Sequence, residues 1–182
     1  KKSSTEKEWE KEMSETASER EFYEDVANPL DSVEEILCAN DWVFDRMTED
    51  ELTVQITGKM GEYKLFFQWQ EEYSAMQFCC QFDIDVKREA MEMAAMTMTS
   101  INSGLWLGHF DFRENTQIPC FRHTTLFRGM TQTSGAEHIE DLVDIAIAEC
   151  ERFYPVFDIL SRGIPEKFAD LSLAQMQTAG EA

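Results

Sequence analysis

Two histidines and an aspartate are the residues whose types and spacing come closest to chemistry. His109 and Asp111 are two apart, hence on one face of a strand, and His123 falls on the next strand of the same predicted hairpin. Imidazole nitrogens beside a carboxylate could ligate a transition metal or relay a proton. The arrangement depends on register. If the hairpin turns about Asn115, His109 stands opposite Phe121 and diagonal to His123, whereas a slip of one residue sends the two histidines to opposite faces. Histidines on strands more often bond locally or face solvent. A metal-binding protein or metal-dependent enzyme using His109, Asp111 and His123 is therefore the alternative reading, not the leading one. His138 reads as an exposed helix residue.

The five cysteines (38, 79, 80, 120 and 150) are odd in number, contain no CxxC and follow no regular spacing, which fits a reducing compartment. Cys79 and Cys80 are strand neighbours whose side chains point to opposite faces and cannot share a metal. Cys80 reads as core, and Cys38 and Cys150 as small apolar fillers, so no thiol chemistry is indicated. Methionine crowds one predicted helix at positions 91, 93, 96 and 98. Met93 and Met96 fall outside its apolar stripe and, being flexible and polarizable, suit a partner or dimer face. Trp69 and Tyr154 are further candidates for partner contact. Gly-rich phosphate loops are missing, as are the HExxH, GxSxG and kinase signatures, so the sequence calls for no cofactor and no catalytic residue.

The elements that would position these residues read as follows. Residues 1–27, with five basic and nine acidic side chains and no sustained apolar stripe, read as a mobile acidic arm. Asn28 as cap and Pro29 at the first helical position open a helix carrying Leu30, Val33, Ile36 and Leu37 on one side, ending near Asn40. Trp42 to Phe44 makes a brief strand. Leu52, Val54 and Ile56 then alternate with polar residues in a second strand; Tyr63, Leu65, Phe67 and Trp69 line one face of a third; Met76, Phe78, Cys80, Phe82 and Ile84 line one face of a fourth. The period switches to helical for Met91, Ala94, Ala95, Met98, Ile101 and Leu105. A hairpin spans Trp106 to Phe112 and Ile118 to Phe127. A last helix opens on a capping box at Ser134–Glu137 and carries Ile139, Val143, Ala146, Cys150, Phe153, Phe157 and Leu160 at alternating spacings of four and three, with Pro155 expected to bend it. Residues 163–182 read as a loose tail with a short helical piece around Phe168 and Leu171. The order α-β(3–4)-α-β-β-α, without a βαβ repeat, predicts an α+β fold in which helices flank an antiparallel sheet.

Composition narrows the function. The 182 residues suffice for one domain with tails, and 43% hydrophobic content supports a packed core. A net charge of -20 with no basic stripe argues against nucleic acid and against an anionic membrane surface. No apolar run approaches the roughly 20 residues of a membrane span, so a cytoplasmic protein is expected.

Several blocks in order resemble the bacterial YbjN family: Asn28-Pro29-Leu30-Asp31, Ala39-Asn40-Asp41-Trp42 with Phe44-Asp45-Arg46, Leu105 through Asp111, Phe121-Arg122-His123, and Glu149 through Pro155. The likeness covers about residues 28–162. It implies a fold like that of type III secretion chaperones, small acidic proteins that commonly dimerise and bind extended segments of clients, and a role in sensory transduction or stress regulation. The family has no catalytic motif to carry over, and this chain departs from it in the N-terminal arm and in Met-rich 91–98. The expectation is a non-catalytic, chaperone-like or regulatory module, a homodimer that binds an unidentified protein client, with Trp69, Met93, Met96 and Tyr154 as its contacts.

Overall fold

The computed structural model describes residues 28–166 and 168–176. The expected arm at 1–27 lies outside the described residues. Helix α1 (Leu30–Ala39) starts one residue later than the sequence predicts: Pro29, which has no N–H to lose, is the cap, and Asn28 Oδ1 just before it accepts from the Leu30 N–H at 3.0 Å. At the other end, Asp41 adopts φ 55° and the Trp42 N–H closes on the Leu37 carbonyl at 3.0 Å. That tight exit holds Trp42 and Val43 out of the sheet, so strand β1 is Phe44–Thr48 rather than Trp42 to Phe44.

Strands β2 (Glu51–Thr57), β3 (Glu62–Gln70) and β4 (Ala75–Phe82) form the expected antiparallel meander. Helix α2 (Met91–Asn102) precedes the hairpin of β5 (His109–Phe112) and β6 (Pro119–Leu126). The long helix α3 (Gln132–Ser161) is followed by the short α4 (Phe168–Gln175). The six strands form one sheet in the order β1-β2-β3-β4-β6-β5, antiparallel throughout. This is the α+β, antiparallel-sheet class that the sequence predicts.

Alternation along the strands gives the sheet one apolar face. Leu52, Val54, Tyr63, Leu65, Phe67, Met76, Phe78, Cys80, Phe82, Phe110 and Phe121 are all buried in a single core with the helices. Every residue of the predicted α3 stripe, from Ile139 to Leu160, is buried there. Phe110 lies amid this core, its ring 5.5 to 6.1 Å from those of Phe82, Phe121, Phe153 and Phe157.

Three local expectations are corrected. The capping box of α3 is one turn earlier than Ser134–Glu137. Thr131 is the cap and Ser134 its reciprocal partner, because the Thr131 hydroxyl reaches the Ser134 N–H at 3.1 Å and the Ser134 hydroxyl reaches back to the Thr131 N–H at 3.0 Å. On α2 the buried stripe is Ala94, Thr97, Met98 and Ile101, with Ala95 turned outward. The segment after 162 is not all loose, since Leu171 of α4 is fully buried in the main core.

Candidate functional site: the open sheet face and its edges

Register decides what the hairpin can do. His109 pairs with Arg122 and Phe110 with Phe121. This is one residue away from the pairing that would place His109 opposite Phe121. The loop from Arg113 to Ile118 is closed by an Arg113 N–H to Ile118 carbonyl bond at 2.9 Å, and Asn115 takes φ 58°, so the hairpin axis falls between Asn115 and Thr116. The slip sends His109 and His123 to opposite faces of the sheet. His109, Asp111 and His123 are therefore not brought together. Asp111 instead bonds Arg122 at 3.2 Å, and no group of three metal-ligating side chains assembles among the described residues. His123 turns toward α3. Burial, with His138 and His109 nearby, holds its pKa below the ordinary histidine value. His138, expected to be exposed, is half-buried and meets the Thr125 hydroxyl at 3.1 Å.

The sheet face away from the helices is open. Across it run two rows of facing residues: Thr53, Phe66, Cys79, Arg122 and His109 in one, and Gln55, Lys64, Gln81, Cys120 and Asp111 in the next. Arg113 and Lys64 hold their cations 4.4 and 5.1 Å from the Phe66 ring, and Arg113 also donates to Gln81 Oε1 at 2.5 Å. Three cations thus meet on the open face of a strongly acidic protein. Cys79 and Cys120 are diagonal neighbours here. Cys80 faces the other way and is buried with Cys150 in the core, where burial pushes the Cys150 thiol up. Cys38, expected as a filler, is exposed.

The two sheet edges differ. At β5 the carboxamide of Asn102 in α2 accepts from the Phe110 N–H at 2.7 Å and donates to the Phe110 carbonyl at 2.9 Å, imitating a neighbouring strand. The Phe112 N–H is taken by the Asp111 carboxylate at 2.8 Å. That edge is closed. At β1, Arg46 points inward to Glu34 at 2.7 Å and to the Thr48 carbonyl at 2.9 Å, fastening the strand to α1. Among the described residues, the backbone groups of Phe44 through Met47 make no bond beyond the ladder to β2. Val43 and Met47 stand out from this edge at 84% and 60% exposure.

The candidate partner contacts fare unequally. Met96 is exposed, whereas Met93 is half-buried against the core. Trp69, expected at the surface as a contact, is buried in the core with its ring 6.0 Å from that of Phe127. Tyr154 is half-buried, packs over Gly61 and donates its hydroxyl to Asp83 at 3.1 Å. Burial and that bond hold its pKa above the ordinary tyrosine value. Sequence reasoning missed Val43, whose exposure follows from the exit of α1, Met47, which stands at the register shift between Arg46 and Thr48, and the Cys79–Cys120 pair, which only the β4–β6 register creates. An apolar Met47 in an otherwise polar segment was the available signal.

A layer of helices on one side of a six-stranded antiparallel sheet, with the other side and one edge open, defines a class of α+β proteins built around an accessible sheet. The chain belongs to the YbjN family, described as "Putative bacterial sensory transduction regulator", whose model matches residues 29–158. No curated protein matches it. Among solved structures it is similar to YbjN from E. coli, described as "a putative transcription regulator", at 14% identity and a TM-score of 0.46, covering 67% of this chain and 90% of that one. No helix among the described residues is long and apolar enough to cross a membrane.

Proposed function

We propose that this protein is a non-catalytic, chaperone-like or regulatory binding module that accepts an extended segment of a client protein as an added strand along β1. The observation that carries this reading is the asymmetry of the edges: Asn102 and Asp111 take up the Phe110 N–H and carbonyl and the Phe112 N–H of β5, while β1 offers its backbone with Val43 and Met47 beside it. Backbone bonds would supply affinity, and apolar client residues would cover Val43 and Met47. Membership of a family tied to sensory transduction supports a regulatory setting for such binding. Met96 on α2 gives a separate apolar point for a second copy of the chain, in a homodimer working in the cytoplasm.

The test is affinity capture from the native cytoplasm by the wild-type chain and by a Val43→Lys, Met47→Lys double variant. A stoichiometric partner held by the wild type and lost from the equally folded variant is expected, because charge on an edge blocks strand addition. A partner retained by the variant, or none captured by the wild type, refutes the β1 site. Mass in solution, measured for wild type and Met96→Ser, tests the dimer separately.

A further inference from the structure

We propose that Cys79 and Cys120 form a peroxide-responsive thiol pair on the open sheet face, in which Cys79 is oxidised first and Cys120 resolves it to a disulfide joining β4 to β6. The pair arises from register. Cys79 is opposite Arg122 and Cys120 is opposite Gln81, so the two thiols are diagonal neighbours on one face of adjacent strands. Cys79 is partly exposed and Cys120 fully buried, so the two have different access to a small oxidant. Arg122 on the neighbouring strand and Arg113 from the hairpin loop supply positive charge, against which Asp111 acts. Neighbouring Cys120, aided by both guanidiniums, holds the Cys79 thiol below the ordinary cysteine value, while Cys120 is pushed up and keeps its proton. The difference in exposure, partly open Cys79 against fully buried Cys120, makes Cys79 the nucleophile and Cys120 the resolving thiol.

The Cys79 thiolate attacks one oxygen of a hydroperoxide. The O–O bond breaks, the alkoxide leaves and takes up the proton released by Cys79, and Cys79 becomes a sulfenic acid. Cys120 sulfur then attacks Cys79 sulfur; the S–S bond forms, the S–O bond breaks, and hydroxide leaves with the Cys120 proton as water. Two thiols and one hydroperoxide give one disulfide, one alcohol and one water, with two electrons passing from the sulfurs to the peroxide.

The remaining cysteines supply internal controls. Cys38 is exposed and lies on α1, outside the sheet, and Cys80 and Cys150 are buried together in the core. The experiment treats the reduced full chain with limiting hydrogen peroxide, blocks free thiols with iodoacetamide and maps the peptides by mass. Expected are a Cys79–Cys120 disulfide, reversed by dithiothreitol, forming several-fold faster than any oxidation of Cys38, and a dimedone adduct at Cys79 in Cys120→Ser. Arg122→Gln, an exposed change, should slow Cys79 oxidation and leave alkylation of Cys38 unchanged. Oxidation that begins at Cys38, or a Cys79 still reduced when Cys38 is consumed, overturns the proposal without need of any variant.

Discussion

Arg122 of β6 reaches diagonally across the hairpin to the carboxylate of Asp111 at 3.2 Å, and directly opposite Arg122 stands His109. The guanidinium thus occupies the carboxylate that a histidine metal site would have used. Both partners are nearly half exposed, so solvent screens the pair. Replacing Asp111 with Ala should cost no more than about 1 kcal/mol. Urea denaturation measures it, and a loss of several kcal/mol would overturn the reading of Asp111 as a solvent-screened surface group.

Phe110 should behave as a keystone of the core. Its ring contacts those of Phe82, Phe121, Phe153 and Phe157, which join the hairpin to β4 and α3. Phe110→Ala is expected to destabilise by about 3 to 5 kcal/mol, the range for aromatic truncation in a close-packed interior. The urea midpoint reads this directly. A loss below about 1 kcal/mol would show that the cavity collapses or that the ring is not packed as described.

Two glycines a turn apart should respond in opposite ways. Gly108 has φ +67°, and a Cβ there would sit 2.2 Å from Cζ of Phe121. Gly104 ends α2 with its nearest neighbour, the Ile101 carbonyl oxygen, at 3.6 Å. Gly108→Ala should destabilise clearly, by at least about 1 kcal/mol, whereas Gly104→Ala should be neutral or stabilise by up to about 1 kcal/mol. Thermal melting of both variants compares them; similar shifts would remove the argument for the Gly108 contact.

Acid sensitivity should trace in part to His123. Its folded pKa lies below the ordinary value, so the folded state favours the neutral ring and the unfolded chain binds more protons. The stability this contributes is present above the unfolded value of about 6.5 and declines as pH falls through it, until the folded form also protonates. The difference in urea midpoint between pH 7.5 and pH 5.5 should be smaller in His123→Gln than in wild type. Equal differences would place the acid response elsewhere.

Apolar periodicity made the secondary structure legible. Strands with every second residue apolar have only one way to face a helix layer, so the inward residues of β2, β3 and β4 and the whole stripe of α3 could be read before any coordinates. The start of α1 was legible to within one residue for a similar reason, since Asn28 and Pro29 act on groups within one turn. At the start of α3 the sequence reading put the capping box at Ser134–Glu137, and the hydrogen-bond geometry places it one turn earlier, at Thr131 and Ser134.

What only the tertiary structure decided is what lies beside what across strands. The six-residue loop from Arg113 to Ile118 set the hairpin axis between two residues, and that half-step separated His109 from His123, matched Arg122 with Asp111 and left the histidine site unassembled. The β4–β6 pairing likewise joined two cysteines 41 positions apart, Cys79 and Cys120, which nothing in their local surroundings connects. Local sequence determines which face a side chain takes, because alternation is a property of one strand. Which partner it meets belongs to the register between strands, and a shift of one residue reverses the face.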